Sequence, residues 1–153
     1  MRYAIIADIH ANIEALEAVL ERISSLGVGA DKIICCGDLV VYYANPNECI
    51  ETLNRWGVQS VIGNHDLAAA GVRALDGWEV AEKAIAWTKK QLSAQNLLML
   101  RNLPRTLVID NRFLIFHGAL HPKKTPENLH LFHEQDVVKT MLALTKHASG
   151  TRL

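Results

Sequence analysis

No stretch of this chain approaches the roughly eighteen consecutive apolar residues that a membrane span requires. The opening "MRYAIIADIH" interrupts its apolar run at Asp8 and His10, too early for a secretion signal. Net charge is lacking as well. Sixteen Lys and Arg offset sixteen Asp and Glu, so no global field draws the chain to nucleic acid or anionic lipid. An anionic substrate would then need local positive charge, and a bound metal is one source. Cysteine is scarce: Cys35, Cys36 and Cys49 are odd in number and lack C-x-x-C spacing. That argues against a disulfide or zinc knot and favours buried, reduced thiols. Repeats, low-complexity segments and linkers are missing too. What is present is a globular composition, half hydrophobic and 21% charged. These features lead us to expect a single cytoplasmic domain over residues 1–153.

The apolar pattern alternates between short runs and helical spacing. "RYAIIA" (Arg2 to Ala7) reads as a buried strand. Ile13, Leu16, Val19, Leu20, Ile23 and Leu26 then recur at three- and four-residue steps, a helix closed by Gly27 and Gly29. "KIICC" is a second strand stopping at Gly37-Asp38. Pro46 suits the first turn of a helix running to Trp56, and "VQSVI" is a third strand stopping at Gly63. Strand, helix, strand, helix, strand predicts an α/β fold with a parallel sheet. Helices are expected near Glu79 to Leu92 and Asn96 to Leu103, with Pro104 ending the second. "TLVID" and "RFLIF" read as a hairpin whose turn signal is imperfect, because Arg112 replaces the expected glycine. A last helix is expected over Asp136 to Lys146.

Each strand ends in metal-type donors. The first gives Asp8 and His10, the second Asp38, the third Asn64 and His65, and the hairpin strand His117. Loops from the carboxyl ends of parallel strands converge, so these donors should pool in one crevice. Carboxylate, imidazole and amide together suit a divalent first-row metal, and the lack of thiolates argues against structural zinc. Two such metals can share a carboxylate, and Asp38 is the natural bridge. His65 is placed to protonate a leaving alkoxide, with Asp66 to orient its ring or raise its pKa.

At these residues the sequence resembles the calcineurin-like metallophosphoesterases. Asp8-Ile9-His10, Gly37-Asp38, Gly63-Asn64-His65-Asp66 and His117-Gly118 match the family's first four blocks in order. "ADIHANIEALEAVLERI", "GDLV" and "NPNE" look most like its small prokaryotic phosphodiesterase branch. The resemblance implies a four-layer αββα sandwich. It implies one metal on Asp8, His10 and Asp38, and another on Asp38, Asn64 and His117. It further implies His65 as general acid, and hydrolysis of small phosphodiesters or phosphomonoesters by a dinuclear metal-bound hydroxide. Manganese is the first choice of cofactor, with iron, cobalt, nickel or zinc as alternatives.

Three departures qualify the match. Ala11 stands where the family has glycine, and Val41, Tyr43 and Ala44 stand where Gly, Gly and Pro are common. If those glycines hold positive φ, the substitutions cost strain. The family's last block, G-H-x-H, is absent, so the fold is expected to be C-terminally truncated and each metal site to keep three protein ligands. Reduced activity and self-association through an open sheet edge are the corresponding expectations. Among the remaining histidines, His147 reads as a tail residue, His130 and His133 as surface residues, and His121 as a candidate for lining the pocket. Two functions stay open: a metal-dependent phosphoesterase, or a non-catalytic relative that keeps the scaffold as a binding module.

Overall fold

The computed structural model of the protein describes residues 2–74 and 79–118. Strand β1 (Ala4–Ile6) pairs in parallel with β2 (Ile33–Cys35), and β2 pairs in parallel with β3 (Gln59–Ser60). The sheet order is β1-β2-β3. Helix α1 (Ile13–Ser25) links the first two strands and α2 (Pro46–Arg55) the second pair. After β3 come α3 (Asn64–Ala69), α4 (Glu79–Gln91) and α5 (Ala94–Asn102). An antiparallel hairpin, β4 (Thr106–Ile109) and β5 (Phe113–Phe116), closes the described chain. The expected mixed α/β fold with its parallel sheet is present.

The helices form where the spacing requires them. Asn12 caps α1 by accepting from the Ala15 amide at 3.0 Å, and Leu16, Leu20 and Ile23 form its buried stripe. Val19 and Leu26 belong to the same periodic pattern but remain exposed. Pro46 opens α2, whose Cys49, Ile50 and Leu53 turn inward, and Ser93 caps α5 through the Asn96 amide. These side chains meet Ile33 and Cys35 on one face of the sheet and form the core. Burying one such leucine contributes about 1.5–3 kcal/mol.

On the other face sit Ile5 and Ile34, which pair across β1 and β2. Tyr3 lies on this side as well. It meets the Phe113 ring at 5.6 Å and donates its hydroxyl to Asp110, placing the hairpin against this face. Helices, parallel sheet and hairpin are thus three of the four expected layers among the described residues. The strand expected to be buried on both sides is not. Ile5 is 55% exposed, because β1 is an edge strand among the described residues and the hairpin leaves Ile5 uncovered. Strand β3 is shorter than "VQSVI" suggests, since the Ile62 amide leaves the sheet to bond Pro104. The hairpin turn needs no glycine at Arg112. Its left-handed positions fall on Asp110 (φ 49°) and Asn111 (φ 52°), residue types that tolerate that conformation. No helix among the described residues is long and apolar enough to cross a membrane. The helix expected over Asp136–Lys146, and His121, His130, His133 and His147, lie outside the described residues.

All three thiols are free, with Cys35 and Cys49 buried. Burial pushes both up to about 12, well above an ordinary thiol. At pH 9, where an exposed thiol is largely thiolate, these two stay protonated. Iodoacetamide at that pH should therefore leave Cys35 and Cys49 unmodified until the chain is unfolded. Mass spectrometry showing rapid alkylation of either in the native protein would refute the packing described.

Candidate metal centre

The loops that leave β1 and β2 run side by side. Asp8 donates its amide to Gly37, His10 to Asp38, and Ala11 to Leu39, all at 2.9–3.0 Å. This zipper carries the strand pairing past the strand ends and brings Asp8, His10 and Asp38 together. Their backbones pay in strain: φ is 56° at Asp8, 52° at His10, 61° at Ala11 and 56° at Asp38. Left-handed geometry at a residue other than glycine costs about 1–2 kcal/mol, and such strain collects at functional sites. Ala11 and Val41 (φ 81°) do occupy the positive-φ positions where glycine was expected.

Glycine is obligatory elsewhere in the motifs. A Cβ on Gly63 would overlap the Asp38 carboxylate and backbone nitrogen. One on Gly37, itself at φ 98°, would come within 2.9 Å of the Gly63 nitrogen and 3.0 Å of His117 Nδ1. The two motif glycines pack together so that Asp38 can lie against the turn that starts α3. The His65 amide then donates to Asp38 Oδ1 at 3.0 Å.

Donor atoms of Asp8, His10 and Asp38 all lie within 4.8 Å of one another. His10 Nε2 is 3.8 Å from Asp8 Oδ1 and 3.9 Å from Asp38 Oδ2. The same Asp38 oxygen is 3.4 Å from His117 Nε2, which in turn is 2.9 Å from Asn64 Oδ1. Asp38 therefore stands between two donor groups, Asp8 with His10 on one side and Asn64 with His117 on the other.

Both histidines are oriented alike. His10 Nδ1 faces the Val40 carbonyl at 3.3 Å, and His117 Nδ1 faces the Cys36 carbonyl at 2.8 Å. Two carbonyls, one on each side of Asp38, thus turn both Nε2 atoms toward its carboxylate. Metal-ligating histidines are commonly fixed in this way. Burial also lowers the His10 pKa, which favours the neutral, ligating ring.

The carboxyls carry the opposite signature. Burial, with Asp8 nearby, raises Asp38, while the His65 amide opposes the shift. Asp66 is fully buried and is raised by that burial and by Asp38. Asp38, buried and close to Asp8, is the carboxyl whose negative charge a bound cation would offset. The donor chemistry and the position of Asp38 fit divalent cations.

His65 lines the same cavity of about 430 Å³ as Asp8, His10, Asp38, Asn64 and His117. Its Nδ1 is buried, and its Nε2 is 3.5 Å from the hydroxyl of Tyr42, which lines the same cavity. Asp66, expected to orient the His65 ring or raise its pKa, turns its oxygens to backbone amides. Its Oδ1 accepts from the Leu39 and Val40 amides at 2.8 and 3.1 Å, and its Oδ2 from the Gly63 amide at 3.0 Å. Both oxygens are thus committed to backbone, and the carboxylate ties the Asp38 loop to the start of α3. Tyr42 was overlooked among the candidates. Its ring lies 4.8 Å from that of His10 and 4.9 Å from that of His65, at the mouth of the cavity. Its position four residues after Asp38 was the available signal.

The family model for calcineurin-like phosphoesterases matches residues 1–150. The uncharacterized protein MJ0912 of Methanocaldococcus jannaschii is 47% identical over 123 residues, covering 78% of this chain and 49% of that protein. The crystal structure of a metallophosphoesterase from Sphaerobacter thermophilus superposes with a TM-score of 0.74 at 36% identity, over 94% of this chain and 56% of that one. The protein PH1004 of Pyrococcus horikoshii shares the fold, with a TM-score of 0.77 at 22% identity, over 96% of this chain and 65% of its own. The chain belongs to the calcineurin-like phosphoesterase family, and it spans about half the length of its M. jannaschii relative.

Two substitutions test this architecture. Gly63→Ala should cost roughly 3 kcal/mol or more, because the added methyl displaces Asp38. Gly27→Ala, at φ 70° in open space, should cost only about 1 kcal/mol. Denaturant melts giving equal losses for the two would refute the contact. Asp66→Asn turns an acceptor into an NH₂ facing backbone donors. It should lower stability by roughly 2–4 kcal/mol in the same melts, and an unchanged midpoint would remove Asp66 from its clamping role.

Proposed function

We propose that the protein is a metal-dependent phosphoesterase acting on small phosphodiesters or phosphomonoesters. The observation that carries the reading is the position of Asp38 Oδ2, 3.9 Å from His10 Nε2 and 3.4 Å from His117 Nε2. One carboxylate so placed suits a centre in which Asp8, His10 and Asp38 hold one cation and Asp38, Asn64 and His117 hold a second. Such cations, when bound, supply Lewis-acid polarisation of a phosphoryl group and lower the pKa of water. Manganese is the first candidate, since a mixed carboxylate, imidazole and amide set accepts several first-row metals.

The chain's own residues do the rest. His65 presents Nε2 to the cavity and donates its proton to the departing ester oxygen, which would otherwise leave as an alkoxide. The backbone amide of His65 holds Asp38 in register, so the acid and the shared ligand move as one unit. A neighbouring cavity of about 470 Å³ shares Asp8 and His10 and is walled by Ile6, Ile9, Leu16, Val19 and Tyr43. It offers apolar room for a group esterified to the phosphate. The neutral chain supplies no field for nucleic acid, and this favours a small substrate. A cytoplasmic location, suited to three reduced thiols, belongs to the same proposal.

The test is hydrolysis of bis(p-nitrophenyl) phosphate and of an alkyl phosphodiester with and without manganese. Metal-stimulated turnover is expected, and Asp38→Asn should abolish it. His65→Ala should lose roughly 10²-fold or more on the alkyl ester, the usual size of a general-acid contribution. Absence of turnover with every one of several divalent metals would overturn the enzymatic reading in favour of a binding module.

A further inference from the structure

Two large side chains beside the centre are exposed although their type favours burial. Val19 belongs to the apolar pattern of α1 yet is 43% exposed, and Tyr43 is 56% exposed. Both wall the cavity of about 470 Å³ that opens beside Asp8 and His10. The backbone of Tyr43 is held firmly. Its amide bonds the His10 carbonyl and the Asn45 amide bonds the Ala11 carbonyl, both at 3.1 Å, while Val41 is fully buried. This turn is thereby fastened to the loop that carries His10, so the cavity wall keeps its place relative to a proposed ligand.

The lining of this cavity is selective. Ile6, Ile9, Leu16 and Val19 are aliphatic, and no Lys or Arg lines it among the described residues. Its carboxylate, Asp8, repels a further anion. The Asn12 side-chain oxygen is already engaged by the Ala15 amide at 3.0 Å. A charged group would lose its water here without compensation, whereas an uncharged ring would not. Tyr43 adds an aromatic side chain, and ring pairs gain more than the area they bury. The volume falls within the roughly 300–1,000 Å³ of small-molecule sites.

Two cavities also divide the two arms of an ester. His65, Asn64 and His117 line the cavity of about 430 Å³ and not this one, whereas Asp8 and His10 line both. The departing oxygen must lie beside the proton donor, so the group in the second cavity is the one that stays on the phosphate. The geometry points to a phosphodiester whose retained ester group is an uncharged aromatic ring, seated against Tyr43 and Val19. Tyr43 is then a specificity-determining residue. A phosphomonoester has no retained group and leaves this cavity unused. The assignment rests on the phosphoesterase reading above, and within it selects diester over monoester.

The experiment uses manganese-loaded protein and three phosphodiesters that retain methyl, cyclohexyl or phenyl. In each, the bond broken joins phosphorus to p-nitrophenolate, and the other product is the phosphomonoester of the retained group. The value of kcat/KM should rise from methyl to cyclohexyl to phenyl, chiefly through KM, with phenyl above methyl by roughly tenfold or more. Phenyl also activates the phosphorus, an effect that cancels when ratios are compared between variants. Tyr43→Ala should lower the phenyl-to-cyclohexyl ratio roughly fivefold, and Tyr43→Phe, which keeps the ring, should preserve it. An unchanged ratio in Tyr43→Ala would overturn the assignment. A second measurement needs no turnover. Anisole carries the same aryl–oxygen unit without a phosphate. In methyl spectra of the metal-free protein it should shift the Val19 and Ala15 methyls and leave those of Val80, exposed on α4, in place. Unmoved Val19 and Ala15 methyls at the solubility limit of anisole overturn the assignment even if the protein hydrolyses nothing, a result that alone would sink only the phosphoesterase reading. Shifts that follow protein concentration instead of anisole would give this surface to a second copy of the chain, and overturn it equally.

Discussion

The carboxylate of Asp66 accepts hydrogen bonds from the amides of Leu39, Val40 and Gly63, and the candidate centre depends on that clamp. Leu39 and Val40 follow Asp38 directly, while Gly63 precedes Asn64 and His65. One buried side chain therefore fixes the distance between Asp38 and the turn that carries Asn64 and His65. A charged acceptor shared by three backbone donors in a dry interior is strong, and losing it would leave all three unsatisfied. The two motif glycines serve the same end, because any side chain on Gly63 would occupy the space of Asp38.

Electrostatics and strain point the same way. Burial raises Asp38 and Asp66, and each neighbouring carboxyl worsens the position of the next. Left-handed backbone at Asp8, His10 and Asp38 adds a conformational cost at the same three residues. A protein keeps such costs where something outside the chain repays them, and a pair of cations would do so. The carbonyls of Cys36 and Val40 fit this account. Flanking Asp38 in sequence, they set the orientation of one histidine in each donor group.

Much of this was legible in the residues. Short apolar runs and three- and four-residue spacing located every described strand and four of the five described α-helices to within a few residues, because both patterns reflect burial. The proposed ligand residues were legible because donors recurred at strand ends, where a parallel sheet gathers its loops. The misses have physical causes. Helix α3 is six residues long and starts inside the motif itself, too short for a periodic signal. The exposure of Ile5 depends on what stacks over the sheet, which local pattern does not encode. Asp66 looked like a partner for the adjacent imidazole, yet its oxygens went to amides 26 and 27 residues away along the chain. Tyr42 reads as an ordinary loop residue until the left-handed turn at Val41 and Tyr42 sets its ring beside those of His10 and His65.

His117 enters the centre from the end of β5, at a separation of 53 residues from Asn64 and 81 from Cys36. Every other proposed ligand comes from the first 64 residues. Contacts this distant in sequence close late in folding, since the entropy of the intervening loop must be met first. One donor group can thus assemble with the parallel sheet, whereas the other waits for the hairpin to dock through Tyr3, Asp110 and Phe113. The centre doubles as a checkpoint on its own assembly: a chain that has not seated its hairpin holds only one of the two donor groups.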